Sequence, residues 1–400
     1  MKILVASSVS PRRHGNGAEL QVAHLIANLR PHHDVHTVYA GPEGDPDIGP
    51  ATRVAPCDVS RMARERDRVL GVVTPVPFLV RRLERAGFGR AVRESATQTQ
   101  PDVVLVTNGP ASYVCEHLAG IPRVLSTIDS WSLNERAIAQ GESGLARLYK
   151  ELLLRRVTAY DRRILPAFDA ITTVADQDRR WMLSLSPGSD IEVISNGVDT
   201  DYFSPTHIQE SLEGTRSLVF HGVMDYPPNV LAAQFLVSQV LPIVRAAHPD
   251  VRVMLVGRSP ASRLSELASD TVTITGGVDD LRPYLAQATV TIYPLLSGTG
   301  VKNKVLEAAA MARPIVATPS AIGDLELHHD QQCLIAPDAR GLAAHVIDLL
   351  EQPRPELGRA AREVVRERHS WERAGAATAA VCERVAAWRA QSHGSDWTVE

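Results

Sequence analysis

Residues 297–318 read SGTGVKNKVLEAAAMARPIVAT, a glycine-rich loop with two lysines that leads into a helical pattern. Glycines let a backbone approach a phosphate closely, and Lys302 and Lys304 could neutralise its charge. One helical turn further on, Glu307 could accept hydrogen bonds from a vicinal diol such as a ribose. The same spacing is also typical of a surface ion pair between Lys304 and Glu307, worth only about 0.3 kcal/mol. The stretch therefore predicts either a phosphate and ribose site or an ordinary helix surface.

Two other loops join a strand pattern to a helix pattern. In SSVSPRRHGNGAE (7–19), Gly15 and Gly17 precede a helix start, which is a natural anion site. This loop is not a dinucleotide fingerprint, because the third glycine and an acidic residue placed for a ribose are missing. In HGVMDYPPN (221–229), Gly222 favours a tight turn before a helix that starts at Pro-Pro-Asn. Either loop could instead be a plain β–α turn.

The elements that must position these loops alternate between strands and helices along the chain. Strand patterns lie at 2–6, 34–40, 102–107, 122–127, 169–175, 190–197, 217–222, 251–257, 271–276, 289–295 and 313–318, and helix patterns include 18–29 and 228–247. This alternation predicts α/β domains with parallel sheets, whose ligands bind beyond the carboxyl ends of the strands. We expect two doubly wound domains at 1–198 and 212–370, a linker at 199–211, and a final helix at 371–390 that could pack on either domain. A chain of this kind usually binds its substrates in the cleft between the domains.

Composition limits the class of protein. The chain has 400 residues, of which 44% are hydrophobic and 22% charged, and a net charge of −4 that argues against a dedicated nucleic-acid binder. Its cysteines, Cys57, Cys115, Cys333 and Cys382, lie far apart and predict reduced thiols in a cytoplasmic protein rather than a zinc site. The short apolar start, MKILVASSVSP, predicts a first strand rather than a signal peptide. No apolar stretch approaches the ~20 residues that span a bilayer, so we expect a soluble chain, attached at most to a membrane surface.

An arginine-rich segment at 61–93 carries nine arginines between apolar residues. A basic amphipathic segment can bind anionic lipid, although a solvated helix face has the same pattern. The segment therefore predicts peripheral membrane contact as one of two alternatives.

In their order and wording, the motifs resemble the GT-B glycosyltransferases, specifically the GT4-like, nucleotide-sugar-dependent group. The most specific stretches are VISNGVDTDYFSP (193–205), GGVDDLRPYLAQATVTIYPL (276–295) and the opening stretch. The combination of HGVMDYPPN with GTGVKNKVLEA looks closest to a bacterial subgroup associated with exopolysaccharide export. The resemblance implies a donor held mainly by the C-terminal domain, an acceptor held by the N-terminal domain, retention at the anomeric carbon and no bound metal.

The resemblance also implies roles for individual residues. Glu307 matches the ribose-binding second glutamate of the EX7E motif, and Val278 matches a position whose backbone contacts the base. Gly300, Val301 and Lys302 match backbone amides that face the sugar or the diphosphate. The final helix, 371–390, resembles the segment that crosses back to pack on the N-terminal domain. The predicted donor-binding residues are Gly17, Gly222, Met224, Asn229, Val278, Thr299, Gly300, Val301, Lys302, Lys304 and Glu307.

Two departures from the family pattern affect catalysis. Thr299 stands where the first glutamate of EX7E reads the donor sugar, so the identity of that sugar stays open. In HGVMDYPPN, where most relatives have an Arg and a Lys that bind the diphosphate, this chain has no cation. Stabilising the departing diphosphate is normally a large catalytic effect. We therefore predict that Lys304, or alternatively Lys302, supplies the missing positive charge.

The N-terminal domain is expected to bind the acceptor through His14, Gly15, Asn108, Asp129 and Trp131. Asp129 follows a strand and could orient or deprotonate the acceptor hydroxyl, or simply cap a helix. Trp131 could stack on a sugar or pack in the core. No histidine occurs near Asp129, so the sequence does not identify a catalytic base.

We therefore predict a cytoplasmic glycosyltransferase that moves a sugar from a nucleotide diphosphate sugar to an acceptor hydroxyl on a glycan, lipid-linked molecule or natural product. No further cofactor is expected. Two alternatives remain. A nucleotide-sugar 2-epimerase-like isomerase would release or rearrange the sugar without an acceptor, and a non-catalytic binder would hold the donor without turnover. The sequence does not name the base, the sugar, the acceptor or the oligomeric state.

Overall fold

The computed structural model describes residues 1–13, 15–55, 74, 76–140, 143–205, 216–258, 262–296 and 301–392. The chain divides into two compact units. Unit 1 comprises Met1–Asn196 together with Trp371–Glu400, and unit 2 comprises Gly197–Ser370.

Unit 1 is built on a seven-stranded parallel sheet with the order β3-β2-β1-β4-β5-β6-β7. Its strands are β1 Lys2–Ser7, β2 Asp34–Ala40, β3 Ala51–Val54, β4 Val103–Thr107, β5 Arg123–Ser126, β6 Ala170–Thr173 and β7 Ile191–Val193. The helices between them are α1 Gly17–Leu29, α2 Phe78–Arg85, α3 Phe88–Thr99, α4 Trp131–Gln140, α5 Gly144–Ile164 and α6 Asp176–Leu185, with a 3₁₀ segment at Gly109–His117.

Both faces of this sheet are covered, which explains the continuous apolar runs of its central strands. Side chains alternate between the faces, so Leu4 and Ala6 of β1 enter one hydrophobic cluster while Ile3 and Val5 enter another. All five residues of β4 are buried.

Unit 2 is built on a six-stranded parallel sheet with the order β10-β9-β8-β11-β12-β13. Its strands are β8 Ser217–His221, β9 Arg252–Val256, β10 Val272–Ile274, β11 Val290–Tyr293, β12 Ile315–Ala317 and β13 Leu334–Ile335. Its helices are α7 Pro227–Phe235, α8 Leu241–Ala247, α9 Ser262–Ser265, α10 Arg282–Gln287, α11 Asn303–Ala310, α12 Pro319–Ile322, α13 Ala339–Glu351 and α14 Pro355–Arg368. The strand next to β8 is β11, which brings the loops after these two strands to the same edge of the sheet.

The last helix, α15 Trp371–Ser392, returns to unit 1. Its residues Val381, Cys382 and Val385 join the cluster that contains Ile3 and Val5. The guanidinium of Arg389 also donates to Asp169 over 2.6 Å. The chain therefore completes unit 1 only at its C-terminal end.

Helices α7 and α8 are joined by a π turn at Leu236–Val240. Proline has no N–H and its ring displaces the carbonyl four residues earlier, so Pro242 accounts for the widened turn. By length and composition, the continuous helix Pro227–Ala247 could cross a membrane, contrary to the sequence-based expectation that no stretch would qualify. Of its apolar stretch 33% is buried, with Leu236, Val240 and Val244 in the core of unit 2, and one such helix is weak evidence for a membrane span.

The predicted α/β class with two doubly wound parallel sheets is confirmed. The patterns located the central strands within a few residues, whereas β3 and β13 are short and were missed. Residues 199–205, predicted as a linker, instead pack into unit 2, where Arg362 donates to the carbonyls of Thr200 and Phe203.

The three described cysteines, Cys115, Cys333 and Cys382, are buried free thiols. Burial raises the pKa of the Cys382 thiol to about 12, so it has little thiolate character at neutral pH. Cys57 lies outside the described residues.

Candidate functional site

Glu307 lies one turn into α11 at the carboxyl end of the unit 2 sheet, and its side chain is 20% exposed. Its Oε2 is 2.8 Å from Nε2 of His221, the last residue of β8. Nδ1 of His221 is 3.1 Å from the hydroxyl of Tyr293, the last residue of β11. The carboxylate is therefore anchored by the ends of two neighbouring strands.

Lys304, one turn before Glu307, bonds to a different element. Its Nζ donates to Oδ1 of Asn229 in α7 and lies 5.4 Å from the centre of the Phe220 ring. No ion pair joins Lys304 and Glu307, since both side chains are described and the carboxylate pairs with His221 instead. The predicted alternative of a Lys304–Glu307 surface pair is therefore wrong.

The surroundings of Lys304 weaken its positive charge. Burial lowers its pKa to about 7, the nearby Lys302 acts in the same direction, and Glu307 opposes them. An amine with this pKa gains a proton readily when an anion binds beside it.

The loop after β8 lies against this lysine. Gly222 has a φ of +155°, and a Cβ there would lie 3.2 Å from Nζ of Lys304 and 2.9 Å from Nδ2 of Asn229. Asn229 also donates to the carbonyl of Val223 over 2.8 Å. Because Gly222 has no side chain, the amine of Lys304 fits beside this loop, which itself carries no Lys or Arg.

Met224, predicted to bind the donor, lies elsewhere. Its side chain is fully buried in the hydrophobic core of unit 2 and its N–H donates to the carbonyl of Arg258. Because its side chain is packed in the core and its N–H is hydrogen-bonded, Met224 supports the loop and is not placed to touch a ligand.

The other predicted donor residues are distributed more widely. Val301 packs partly buried on the core, and Val278 packs against the cluster around β9 and α10. Lys302 stands at the N-cap position of α11 without a side-chain capping bond. Gly17 is the exposed first residue of α1 in unit 1. Thr299 and Gly300 lie outside the described residues.

The glycine-containing loop before α1 in unit 1 caps the N-terminus of that helix. Asn16 accepts from the N–H groups of Ala18 and Glu19, while the Glu19 carboxylate accepts from the N–H of Asn16. A Cβ on Gly15 would lie 2.3 Å from the Glu19 carboxylate, so glycine is needed for this capping box. The structure therefore supports the plain β–α turn at this loop, because Asn16 already occupies the first amides of α1.

Asn108, predicted on the acceptor side, has two unusual properties. It follows β4 with a φ of +70°, a sparsely populated conformation for a residue with a side chain. It is 7% exposed, and its Nδ2 has no hydrogen-bond partner in the described part of the chain. Strained backbone and an unsatisfied buried donor are both typical of ligand-contacting residues.

The remaining acceptor-side residues are less informative. Asp129 is partly buried in the turn between β5 and α4. Trp131 packs edge-on against Tyr160 with ring centres 5.9 Å apart, which favours the core alternative over sugar stacking. His14 lies outside the described residues.

Sequence reasoning missed His221 and Tyr293. The available signal was a histidine at the end of the apolar strand SLVFH, directly before a glycine. Within the described residues, no group of three His, Cys, Asp or Glu side chains is placed to hold a metal ion. That the reaction needs no metal stays a prediction from the resemblance.

Known proteins match both units. Residues 15–202 match the family Glycosyltransferase Family 4, and residues 215–352 match Glycosyl transferases group 1. A phosphatidyl-myo-inositol mannosyltransferase of Mycolicibacterium smegmatis is 29% identical over 252 residues, 60% of each chain. A GDP-mannose-dependent α-(1-6)-phosphatidylinositol monomannoside mannosyltransferase of that organism is 29% identical over 242 residues, 54% of this chain and 62% of its own. The match thus spans about three fifths of the length of these relatives.

Solved structures share the whole fold. Sucrose-phosphate synthase from Thermosynechococcus elongatus superposes with a TM-score of 0.71 at 18% identity, covering 97% of this chain and 99% of its own. The Anabaena protein HepE, in complex with UDP and glucose, gives a TM-score of 0.67 at 16% identity, covering 96% and 100%. The class of protein is therefore a two-domain α/β protein of the GT-B fold. The chain belongs to the GT4-like glycosyltransferases, with one family match on each unit.

Proposed function

We propose that the chain transfers a sugar from a nucleotide diphosphate sugar to an acceptor hydroxyl, with retention and without a metal ion. The observation that carries this proposal is the separate anchoring of Glu307 and Lys304 at the carboxyl end of the unit 2 sheet. One is an acceptor suited to a ribose diol and the other a donor suited to a phosphate.

In the proposed reaction, the bond between the anomeric carbon and the β-phosphate oxygen breaks while the acceptor oxygen attacks from the same face. The acceptor proton passes to the departing phosphate oxygen, so no strong protein base is needed. Lys304 in its ammonium form would stabilise the charge that develops on the diphosphate. Glu307 would hold the ribose of the nucleotide.

Replacing Lys304 tests the catalytic role. We expect Lys304→Met to lower kcat by about 10²-fold or more, because a cation aimed at developing charge is lost. Lys302→Met decides between the two lysines, and Lys150→Met, at a partly buried lysine of unit 1 that lies 3.9 Å from Glu135, is the control. A kcat near that of the wild type in Lys304→Met would exclude this role.

The donor is best sought by binding. Thermal unfolding with UDP, GDP, ADP and TDP and their sugars should reveal a partner, because a ligand at about 100 times its Kd stabilises the folded protein by ~2.7 kcal/mol. The names of the mannosyltransferase relatives make GDP-mannose the first donor to test. The absence of a shift with every nucleotide would contradict the proposal.

We propose that unit 1 binds the acceptor, with Asn108 donating its unsatisfied amide to an acceptor hydroxyl and Asp129 orienting that hydroxyl. Asn108→Ala should raise the acceptor KM while leaving nucleotide binding to unit 2 unchanged. Donor hydrolysis without an acceptor would favour the isomerase-like alternative, and binding without any turnover would favour the non-catalytic one.

We also propose a cytoplasmic protein with peripheral membrane contact through the arginine-rich segment 61–93. Most of its first half lies outside the described residues, whereas α2 carries Arg81, Arg82 and Arg85 beside partly buried Leu79. Relatives that act on phosphatidylinositol derivatives support a lipid-linked acceptor.

Co-sedimentation with vesicles tests the membrane contact. Binding to anionic vesicles at low salt should fall when Arg81, Arg82 and Arg85 are changed to Gln. A matched variant should change Leu145 and Leu148 of α5, which are 85% and 56% exposed, to Gln. Loss of vesicle binding only in the leucine variant would place the contact on α5. If the wild type does not bind vesicles, the proposed membrane contact is wrong.

A further inference from the structure

His221 is buried at the centre of a three-residue chain of hydrogen bonds. It is 2% exposed and lies between Glu307, 2.8 Å from Nε2, and the fully buried Tyr293, 3.1 Å from Nδ1. The rings of His221 and Tyr293 meet edge to face with centres 5.6 Å apart. Both rings stand on adjacent strands of the sheet, so neither can move without disturbing the core.

The order of donors in this chain follows from the chemistry of its ends. A carboxylate only accepts, so Nε2 of His221 must carry the proton that it donates to Glu307. In a neutral imidazole, Nδ1 is then an acceptor, and the Tyr293 hydroxyl donates to it. Burial, followed by the charge of Glu307, raises the pKa of Tyr293 well above its usual value, so the hydroxyl keeps its proton.

This chain of bonds also determines how the two charged residues of the site are held. Lys304 and Glu307 have opposite charges and lie on one helical face, three residues apart, where they could pair with each other. Instead Glu307 is held by His221 and Lys304 is held by Asn229. Each group therefore has its own hydrogen-bond partner, and Glu307 acts on Lys304 through its charge alone.

We propose that His221, oriented by Tyr293, is a positioning residue that holds the Glu307 carboxylate ready for the ribose diol. This inference rests on the proposed function, in which Glu307 binds ribose. Pre-organised contacts increase affinity because the ligand does not have to order them.

Calorimetric binding of GDP and UDP, compared with their 2′-deoxy forms, tests the inference. The wild type should prefer the ribonucleotides, and His221→Leu should lose about tenfold in ribonucleotide affinity, the value of about one hydrogen bond to a charged group. The 2′-deoxy forms keep only one hydroxyl of the diol and should lose less affinity than the ribonucleotides, and inorganic pyrophosphate should bind His221→Leu as it binds the wild type. A purely structural role would weaken all of these ligands together.

Two conservative variants complete the design. His221→Gln retains an N–H donor and should restore part of the ribose preference, while Tyr293→Phe should reduce it, because the histidine tautomer is no longer fixed. In ¹⁵N-histidine spectra, the signal lost in His221→Gln should report the Nε2–H tautomer in the wild type. An Nδ1–H tautomer at that signal would overturn the inference.

A Glu307→Gln variant separates the positioning role of His221 from the proposed function. If it loses ribose preference while His221→Leu keeps it, the proposed role of Glu307 stands and the positioning role of His221 is wrong. If the wild type binds no nucleotide, or if Glu307→Gln binds ribonucleotides like the wild type, the proposed function fails and this inference fails with it.

Discussion

Lys304 and Glu307 show how two residues three positions apart acquire separate roles. On an isolated helix they would attract each other weakly. In the folded unit, their partners come from other elements, Asn229 of α7 for the lysine and His221 at the end of β8 for the glutamate. The pKa of Lys304 is lowered to about 7 mainly by burial, so this lysine is only partly protonated at neutral pH until a ligand supplies negative charge.

This predicts that nucleoside diphosphate binding takes up a proton at Lys304. Above pH 7 the wild-type affinity should fall by up to about tenfold per pH unit, because the free protein must first protonate the amine. Calorimetry between about pH 7 and 9 avoids the diphosphate's own titration near pH 6. The Lys304→Met variant should lose this slope and Lys150→Met should keep it. Equal slopes in all three proteins would contradict the prediction.

The free energy of unfolding of the ligand-free protein should rise with pH, whereas the affinity for the diphosphate falls. The folded state holds Lys304 with a pKa of about 7, whereas a lysine in the unfolded chain has a pKa of ~10.4. Between these values the unfolded chain binds more protons, so this group makes unfolding less favourable as pH rises. Urea unfolding of the wild type and Lys304→Met across this window measures the difference.

At the scale of elements, the site depends on close packing between the loops after β8 and β9. Gly257 has a φ of +150°, and a Cβ there would lie 1.8 Å from the carbonyl oxygen of Gly222. The N–H of Gly222 in turn donates to the carbonyl of Val256 over 3.0 Å. These contacts fix the loop beside which Lys304 lies.

Gly257→Ala should therefore destabilise the protein by about 1–3 kcal/mol from backbone strain alone, with a further loss from the clash. It should also weaken diphosphate binding, because Gly222 must move. Gly276→Ala is the matched control, since Gly276 has a φ of +71° and a Cβ added there would meet no described atom within 4 Å. If urea unfolding shows the same decrease in unfolding free energy for both variants, the backbone relieves the clash at no cost and the prediction is wrong.

At the scale of the whole molecule, the two units differ in continuity. Unit 2 is one segment, Gly197–Ser370, whereas unit 1 is completed by the last segment of the chain. Through Val381, Cys382 and Val385, α15 joins a hydrophobic cluster with side chains of α1, β4 and β5. Without α15, this apolar face would be exposed to water, and removing buried apolar groups is costly.

We expect fragment 197–370 to fold cooperatively by itself. Fragment 1–196 should be much less stable, and a linked 371–392 segment should restore its cooperative unfolding. Circular dichroism melts of the three fragments check this. Cooperative unfolding of fragment 1–196 at the same temperature as the extended form would show that α15 adds little to unit 1.

The sequence determined the class of fold because strands buried on both faces must be continuously apolar. The bounds of β2, predicted and observed at 34–40, illustrate this. The edge strand β3 was missed, since ATRV has no continuous apolar run. The sequence also located the cationic and acidic groups of the site, because Lys304 and Glu307 stand three positions apart in one stretch of chain.

Only the tertiary structure decided what those groups bond. His221 and Glu307 are 86 positions apart, and Asn229 and Lys304 are 75 positions apart, so no local pattern pairs them. These residues meet because β11 lies beside β8 in the sheet, and that strand order depends on the packing of the whole unit. The same packing buries Met224, which the motif alone had placed at the ligand.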